Sequence, residues 1–453
     1  MWRLAKRVVF PLRRTSSTES PLRPRAALAM NHRLLLFALC SALASVGCGD
    51  DAGGADDSGE PLDSGVDAGD DGSGEGDASG ADTGVDIRED IAFEANEVVL
   101  PIDYQFVEID DGVSDVLLFD VPDDAISVMI IIEGEPGKTY GLASWEDGLA
   151  EELVYDGWES NPAEPSAPTT CLRCSNPMSM GDGAFAALAP NNDVVEMANG
   201  EHRIRLLAYQ VVSTAQGARA EPASSVVRLS VYAKLADEPP SIGVVDLNLF
   251  FSGAGGWTAE NAPSDEQFGE MMDEFERVYG QAGISVGEQR YYNVDDSFDV
   301  IEGLSGADGD LGALFAQSEG RPSGAVNVFF VGELLQGGAA DQFGVVLGIS
   351  GGIPGPTMAP GTTRSGVAIA VDTHDLLGVG SELHTTVAHE VGHYLGLYHT
   401  SELDFGDRPE RHDPITDTAE NQPNYLMFFT GDGELISNVQ GDVMRSNPVV
   451  RTQ

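Results

Sequence analysis

Three histidines and a glutamate lie within the eleven residues HEVGHYLGLYH, although the chain of 453 residues contains only 8 histidines. They are His389, Glu390, His393 and His399. On a helix, residues four apart share a face with their Cβ atoms about 5–6 Å apart, so His389 and His393 can reach one metal ion. Gly396 can adopt positive φ and turn the chain out of the helix, which lets His399 return to that ion. The spacing predicts zinc bound by three imidazoles.

The same residues predict a catalytic site rather than a closed structural one. Three protein ligands leave the fourth tetrahedral position of zinc for water, as in catalytic zinc sites. Glu390 adjoins the first ligand and can take a proton from that water as it attacks a carbonyl, then return the proton to the leaving amine. The alternative is a helix with ordinary surface or core histidines. The five fixed positions of HExxHxxGxxH make that coincidence rare at ordinary composition.

The elements around this motif predict an α/β domain over residues 238–453. The motif helix is predicted over SELHTTVAHEVGHYLG, with Ser381 as its cap and apolar residues at every fourth position from Leu383. Upstream, strand-like segments such as IGVVDLNLFF, AVNVFFVGEL and GVAIAVD alternate with helical ones, which favours a sheet with helices in its connections. The Gly- and Pro-rich stretch 350–366 lacks the lysine of a phosphate-binding loop and is interpreted as a surface loop.

The HExxHxxGxxH pattern resembles the signature of metzincin zinc peptidases, and HEVGHYLGLYHTSE is most similar to the pappalysin branch. The resemblance covers roughly residues 240–453. It implies an α/β subdomain that ends in the zinc helix, a cleft, and a smaller lower subdomain. It also implies a methionine-containing turn beneath the metal, where Met427 in PNYLMFF is in the expected place. Finally, it implies that a strand before the zinc helix pairs with extended substrate, and GVAIAVD (366–372) is the predicted strand.

The resemblance implies further metal and specificity residues. HDPITDTAE (412–420) resembles the pappalysin segment that supplies calcium ligands, with Asp413 as a side-chain ligand and Thr416 and Thr418 as carbonyl ligands. A solvated acidic loop is the alternative. Asp432, five residues after Met427, is expected to approach the specificity pocket and to favour basic residues after the scissile bond.

Phe429 departs from the family pattern. Some metzincins have a tyrosine two residues after the turn methionine, which can bind zinc or stabilise the oxyanion, and phenylalanine can do neither. Activity would then rest on zinc and Glu390 alone, or on another donor such as Tyr425.

Residues 90–237 predict an antiparallel β-sandwich accessory domain, because short β-type segments are separated by Asp, Gly and Pro turns. In outline the segment is similar to β-sandwich modules of secreted bacterial peptidases. It could bind a partner or a polysaccharide, or act as a spacer. His202 is predicted to be a surface residue. Cys171 and Cys174 are predicted to form a local disulfide, with a redox pair or half of a zinc site as alternatives.

Residues 1–48 are interpreted as an export region. The apolar run 34–47 has the length of a signal peptide and is short for a membrane span. Cys48 follows it and resembles the lipidated cysteine of bacterial lipoproteins, although Ser45 stands where leucine is usual; ordinary secretion is the alternative. Met30 is the expected true start. Residues 49–89 are acidic and glycine-rich, which predicts a disordered tether.

The net charge of −50 at pH 7 bears on the partners of the protein. Such a surface repels nucleic acid and anionic lipid, so we expect no nucleic acid, and membrane attachment only through a lipid anchor. We expect a multi-domain zinc metalloendopeptidase, exported to the cell envelope or secreted, that acts on protein or peptide substrates with Zn²⁺ and a Ca²⁺ ion. A surface adhesin with an inactive peptidase scaffold is the alternative, which Phe429 favours and Glu390 opposes.

Overall fold

The computed structural model describes residues 49–50, 98–155, 181–214, 217–304, 309–335, 345–402 and 411–452. The predicted signal region with Cys48, most of the predicted tether, and the predicted disulfide pair Cys171 and Cys174 lie outside these residues. Strands predominate over helices. Among the helices of the described ranges, none combines the length and the apolar character needed to cross a bilayer.

A nearly closed antiparallel sheet of eleven strands occupies residues 98–235. After the two-residue β1 (Gly49–Asp50), its strands are β2 (Val98–Asp110), β3 (Val113–Ser114), β4 (Leu117–Val121), β5 (Ala125–Glu133), β6 (Thr139–Glu146), β7 (Glu152–Tyr155), β8 (Gly181–Asp182), β9 (Ala184–Ala189), β10 (Gly200–Thr214), β11 (Gly217–Pro222) and β12 (Ser225–Leu235). β8 pairs with β6, whereas the next strand, β9, pairs with β5 near the opposite end of the strand order. The antiparallel character agrees with the prediction, but one curled sheet replaces the two separate sheets of a sandwich.

The sequence of β5 explains why this sheet is buried on both faces. Successive side chains of a strand point to opposite faces. Val128, Ile130 and Ile132 belong to the core inside the curled sheet, whereas Met129 and Ile131 belong to the core of the C-terminal region. The near-continuous apolar run therefore contributes alternate side chains to two hydrophobic cores.

The C-terminal region, residues 243–452, is built on a mixed sheet of five strands in the order β14, β13, β16, β20, β19. Its elements are β13 (Gly243–Phe251), α1 (Glu266–Tyr279), β14 (Ile284–Asn293), β15 (Val300–Glu302), α2 (Asp310–Ala316), β16 (Ala325–Val331), β17 (Glu333–Leu335), β18 (Val345–Val346), β19 (Gly348–Ser350), β20 (Val367–Ala370), α3 (Val371–Leu377), α4 (Leu383–Tyr394), β21 (Ser401–Glu402), β22 (Arg411–His412) and α5 (Asn438–Ser446). β13, β14, β16 and β20 are parallel, and β19 is antiparallel to β20.

Helix α1 packs against helix α4. Asp265 caps α1 by accepting a hydrogen bond from the backbone N–H of Phe268 at 2.9 Å. Phe268, Phe275 and Val278 of its apolar face are buried in the core shared with α4. At its end, the Tyr279 hydroxyl donates to the carbonyl of Ala388 in α4 at 3.0 Å. The two helices are thus joined by packing and by a buried hydrogen bond.

Polar contacts join the antiparallel sheet to the C-terminal region. The Lys234 side chain is fully buried, and its ammonium group donates to the carbonyl oxygens of Arg445 and Val450. The Ser127 hydroxyl donates to the carbonyl of Ser446 at 2.5 Å. A buried ammonium group is costly unless it is hydrogen-bonded, so these carbonyl groups in the last turn of α5 and in the segment that follows it stabilise the contact. The sheet therefore forms part of the support of the C-terminal region.

The stretch 350–366 is not the surface loop that its composition predicted. Most of its residues between 350 and 360 are buried. Thr357 donates to the side-chain oxygen of Asn447 at 3.2 Å, and Thr363 donates to the carbonyl of Asp182 at 2.6 Å. The loop is buried because it lies between the antiparallel sheet and the C-terminal region, a contact that local composition does not encode.

The prediction that His202 is a surface residue is also wrong. Its side chain is fully buried. Trp145 Nε1 donates to Nδ1 of His202 at 3.0 Å, and the His202 Nε2–H donates to the carbonyl of Ala198 at 2.8 Å. Burial lowers the pKa of His202, which keeps the imidazole neutral in the form that both hydrogen bonds require.

Candidate metal centre

Helix α4 carries two of the three histidines. It begins at Leu383 with Glu382 as its N-cap and has no side-chain cap hydrogen bond, so the predicted cap at Ser381 is wrong. Val387 and Val391 face the core, as their spacing predicted. His389 and His393 are each 3% exposed. The helix thus holds both imidazoles in a buried site rather than on its solvent face.

The chain leaves α4 at Gly396 and returns toward the helix. Gly396 has φ +116°, a backbone conformation that residues with side chains rarely adopt. Its N–H donates to the carbonyl of His393 at 2.9 Å, and the N–H of Leu397 donates to that of Gly392 at 3.0 Å. These bonds close the helix end, and the sharp turn brings His399 back beside the first two histidines.

The three imidazoles converge on one point. Nε2 of His399 lies 3.2 Å from Nε2 of His389 and 3.0 Å from Nε2 of His393. Tetrahedral zinc with bonds of 2.0–2.1 Å requires ligand nitrogens about 3.3 Å apart, close to these separations. In the part of the chain that the structure describes, no other group of three His, Cys, Asp or Glu side chains meets the same geometry. The residues present therefore fit a single metal ion.

Backbone carbonyl groups fix the orientation of two imidazoles. The Nδ1–H of His389 donates to the carbonyl of Leu426 at 2.7 Å, and that of His393 donates to the carbonyl of Leu397 at 2.7 Å. Because Nδ1 carries the proton in each ring, the Nε2 lone pair is available to a metal. Burial lowers the pKa of His389 to about 3 and that of His393 well below its usual range. Both rings are therefore neutral at pH 7, as metal ligation requires.

Met427 packs against Gly392 of helix α4, which lies between His389 and His393 in the sequence. Its side chain is fully buried, and its backbone carbonyl accepts a hydrogen bond from the N–H of Thr400 at 2.7 Å. A Cβ atom at Gly392 would lie only 2.7 Å from Met427 Sδ. Gly392 was not predicted to be part of the site. A glycine inside a helix nevertheless indicates close packing at that position.

Glu390 lies in a small cavity beside the histidines. Its side chain is 4% exposed. The cavity is lined by Glu390 and His389 together with Leu347, Gly348, Thr386, Phe429, Thr430 and Gly431. The site thus combines neutral metal-ligating nitrogens and a buried carboxyl group with space for a small reacting group.

The strand that borders this cavity is β19, not the predicted GVAIAVD. β20 comprises the residues VAIA of GVAIAVD, and it pairs with β16 on one side and with β19 on the other. Leu347 and Gly348 of the β19 segment line the cavity. The prediction failed because β19 is a three-residue antiparallel strand that joins the sheet through tertiary pairing, and its sequence carries no strand pattern.

Two residues close to Met427 in the chain, Tyr425 and Asp432, do not line the cavity. The Tyr425 hydroxyl donates to the carbonyl of Asp417 at 3.2 Å, and Tyr425 does not line the cavity, so it does not replace the missing tyrosine. Asp432 is exposed and accepts a hydrogen bond from the Thr430 hydroxyl. Thr430 and Gly431 line the cavity, whereas Asp432 does not. The chain reverses at Gly431, which has φ +71°.

The predicted calcium segment is packed against a loop of the antiparallel sheet. Thr418 donates to a carboxylate oxygen of Asp413 at 2.6 Å, and the backbone N–H of Thr416 donates to the carboxylate of Asp193 at 3.0 Å. Burial raises the pKa of Asp413 to about 7, and the nearby Asp417 and Asp193 add to this effect. Asp193 was not singled out in the sequence, because it is distant along the chain.

Comparison with known proteins gives little further information. No protein-family model and no curated protein sequence matches the chain. Among solved structures, metalloproteinase-II from Bacteroides fragilis is similar at 11% identity and a TM-score of 0.25, over 49% of this chain and 60% of that chain, less than two thirds of its length. A family two carbohydrate esterase from Clostridium thermocellum is similar at 11% identity and a TM-score of 0.15, over 54% and 80%.

Proposed function

We propose that this protein is a zinc metalloendopeptidase in which His389, His393 and His399 hold the metal and Glu390 is the general base. The observation that supports the proposal is the approach of the three Nε2 atoms to 3.0 and 3.2 Å, beside a cavity that a buried carboxyl group shares. Four protein ligands would indicate a structural zinc site, whereas three ligands next to a cavity favour a catalytic one.

The residues of the site suggest how peptide hydrolysis would proceed. Zinc in a three-histidine site supplies Lewis acidity that lowers the pKa of a water molecule toward about 7. Glu390 would accept a proton from water beside His389 and transfer it to the leaving amide nitrogen. Phe429 lines the cavity and offers no hydrogen-bond donor, so this side chain would not stabilise the oxyanion.

The substrate proposed is a peptide in extended conformation. Within the described residues, β19 pairs only with β20, so its other edge can accept a further strand. Backbone hydrogen bonds along such an edge bind extended peptides with little dependence on their side chains. Because Leu347 and Gly348 border the cavity, a peptide paired there would place a bond beside Glu390. Asp432 is exposed one residue after Gly431 of the cavity lining, and we propose that it favours basic residues after the scissile bond.

Digestion of casein or of a mixed-peptide library by the purified protein tests the proposal. We expect one zinc ion per chain, cleavage that 1,10-phenanthroline abolishes, and recovery when zinc is returned. If the proposed calcium ion also binds at Asp413, chelation with EGTA will lower the thermal melting temperature and an Asp413→Asn variant will not respond to calcium. A protein that holds zinc but cleaves no peptide would instead support the adhesin with an inactive scaffold.

The proposal includes export and a lipid anchor at Cys48 in the cell envelope. The Cys48→Ala variant is expected to move from the membrane fraction to the soluble fraction, because it lacks the cysteine that would carry the lipid anchor. Fractionation followed by immunoblotting measures the change, with unmodified protein as the reference. Unchanged partitioning would reject the anchor and leave ordinary secretion.

A further inference from the structure

We infer that Gly348 is a positioning residue for Glu390: the absence of a side chain at this position sets where the carboxylate lies. The inference rests on the proposed function. Gly348 is in the edge strand β19, paired with Ile369 of β20. Its φ lies outside the left-handed region, so its backbone conformation does not require glycine. The requirement comes from what faces it.

Side chains of helix α4 fill the space that a side chain at position 348 would need. A Cβ atom there would lie 2.6 Å from Cγ and 3.0 Å from Oε1 of Glu390, and 2.9 Å from Cγ2 of Thr386. Ordinary contacts of a Cβ atom begin at 3.4 Å. Thr386 and Glu390 are four residues apart and therefore share the face of α4 that meets the strand. The space that Gly348 leaves open is filled by the stem of the general base.

The buried His374 fixes the orientation of Thr386, the second side chain near position 348. The Nδ1–H of His374 donates to the carbonyl of Ala370 at 2.7 Å, so its Nε2 accepts a hydrogen bond from the Thr386 hydroxyl at 2.9 Å. His374 is fully buried. Because the hydroxyl is bonded to His374, the Thr386 methyl group is the part that lies nearest to position 348. Glu390 is thus packed between the backbone of Gly348 and a methyl group held in one orientation.

This arrangement predicts an effect on the chemical step rather than on substrate binding. A methyl group at position 348 would displace the Glu390 carboxylate, while the zinc ligands keep their own hydrogen bonds to Leu426 and Leu397. Displacing a catalytic group by about 1 Å can cost about 10²-fold in rate. The edge of β19 would still be available to the substrate backbone, so KM should change little.

The Gly348→Ala variant tests the inference. We expect kcat for peptide cleavage to fall by about 10- to 100-fold, with zinc content unchanged and KM within about twofold of the unmodified protein. Gly269→Ala is the matched control, because Gly269 is exposed on α1 and an added Cβ would meet nothing within 4 Å. This control should leave kcat unchanged.

A second substitution tests the contact itself. Thr386→Ser removes the methyl group that a Cβ at position 348 would meet at 2.9 Å and keeps the hydroxyl that bonds to His374. The loss of kcat that Gly348→Ala causes should therefore be several-fold smaller in the Thr386→Ser background than in the unmodified protein. This smaller loss would not follow from a general loss of stability.

The possible failures can be distinguished. Unchanged kcat in Gly348→Ala would overturn the inference and leave the proposed function intact. Loss of zinc or of the cooperative thermal transition in that variant would assign the glycine to the fold and would also overturn it. An unmodified protein that binds zinc and cleaves no peptide would reject both the proposed function and the inference.

Discussion

Glu390→Gln is expected to abolish peptide cleavage while zinc remains bound. Glutamine has almost the same shape as glutamate, so its stem keeps the packing against Gly348 and Thr386. The amide cannot accept a proton at neutral pH, so the general-base contribution is lost. We expect kcat to fall by at least about 10²- to 10⁴-fold, which is the usual contribution of general acid–base catalysis. Steady-state cleavage of a fluorogenic peptide and metal analysis of the same sample measure both properties.

The matched control is Glu270→Gln, which makes the same chemical change at an exposed position of α1. It should leave both activity and zinc content unchanged. Substantial cleavage by Glu390→Gln at full zinc occupancy would reject Glu390 as the base. The hydrolysis would then have to use another proton acceptor.

His393→Ala is expected to lose both zinc and activity. The imidazole is buried, held by the carbonyl of Leu397 at 2.7 Å, and its Nε2 lies 3.0 Å from that of His399. Loss of a hydrogen bond that supports a metal ligand lowers metal affinity by about 10- to 100-fold. Removal of the ligand itself should lower zinc affinity by more than this. Dialysis against zinc-free buffer followed by metal analysis should find almost no bound zinc. Peptide cleavage should disappear with it.

His384→Ala is the control for this second variant, because His384 belongs to the same helix but bonds to Glu434 at 3.1 Å instead of facing the metal site. A single side-chain hydrogen bond of this kind contributes only about 0.5–1.5 kcal/mol to stability. The control should retain zinc and cleavage. If His393→Ala bound zinc as tightly as the unmodified protein, the ligand assignment would be wrong. The two predictions together separate the metal from the base, because only one of them removes the metal.

Local geometry explains which parts of the site could be predicted. The separation of His389 and His393 follows from the helical repeat, and the turn at Gly396 follows from the conformational freedom of glycine. Both need only neighbouring residues. The same is true of the alternation in β5, where successive apolar residues enter different cores. These features involve short segments whose geometry is set by the backbone.

Two of the failed predictions concern contacts between distant segments. His202 is buried because Trp145 bonds to it across paired strands. The stretch 350–366 is buried because the antiparallel sheet covers it. Neither of these outcomes follows from the composition of the segment itself.

The sequence by itself determined the set of metal-ligating side chains and the helix that presents two of them, since helical spacing is a local property. Only the tertiary structure decided that β19 lies at the sheet edge beside Glu390, and that Gly348 must lack a side chain there. The physical reason is that strand order and helix–sheet distance depend on packing between segments far apart in the chain. Such packing leaves no periodic signal in a three-residue strand.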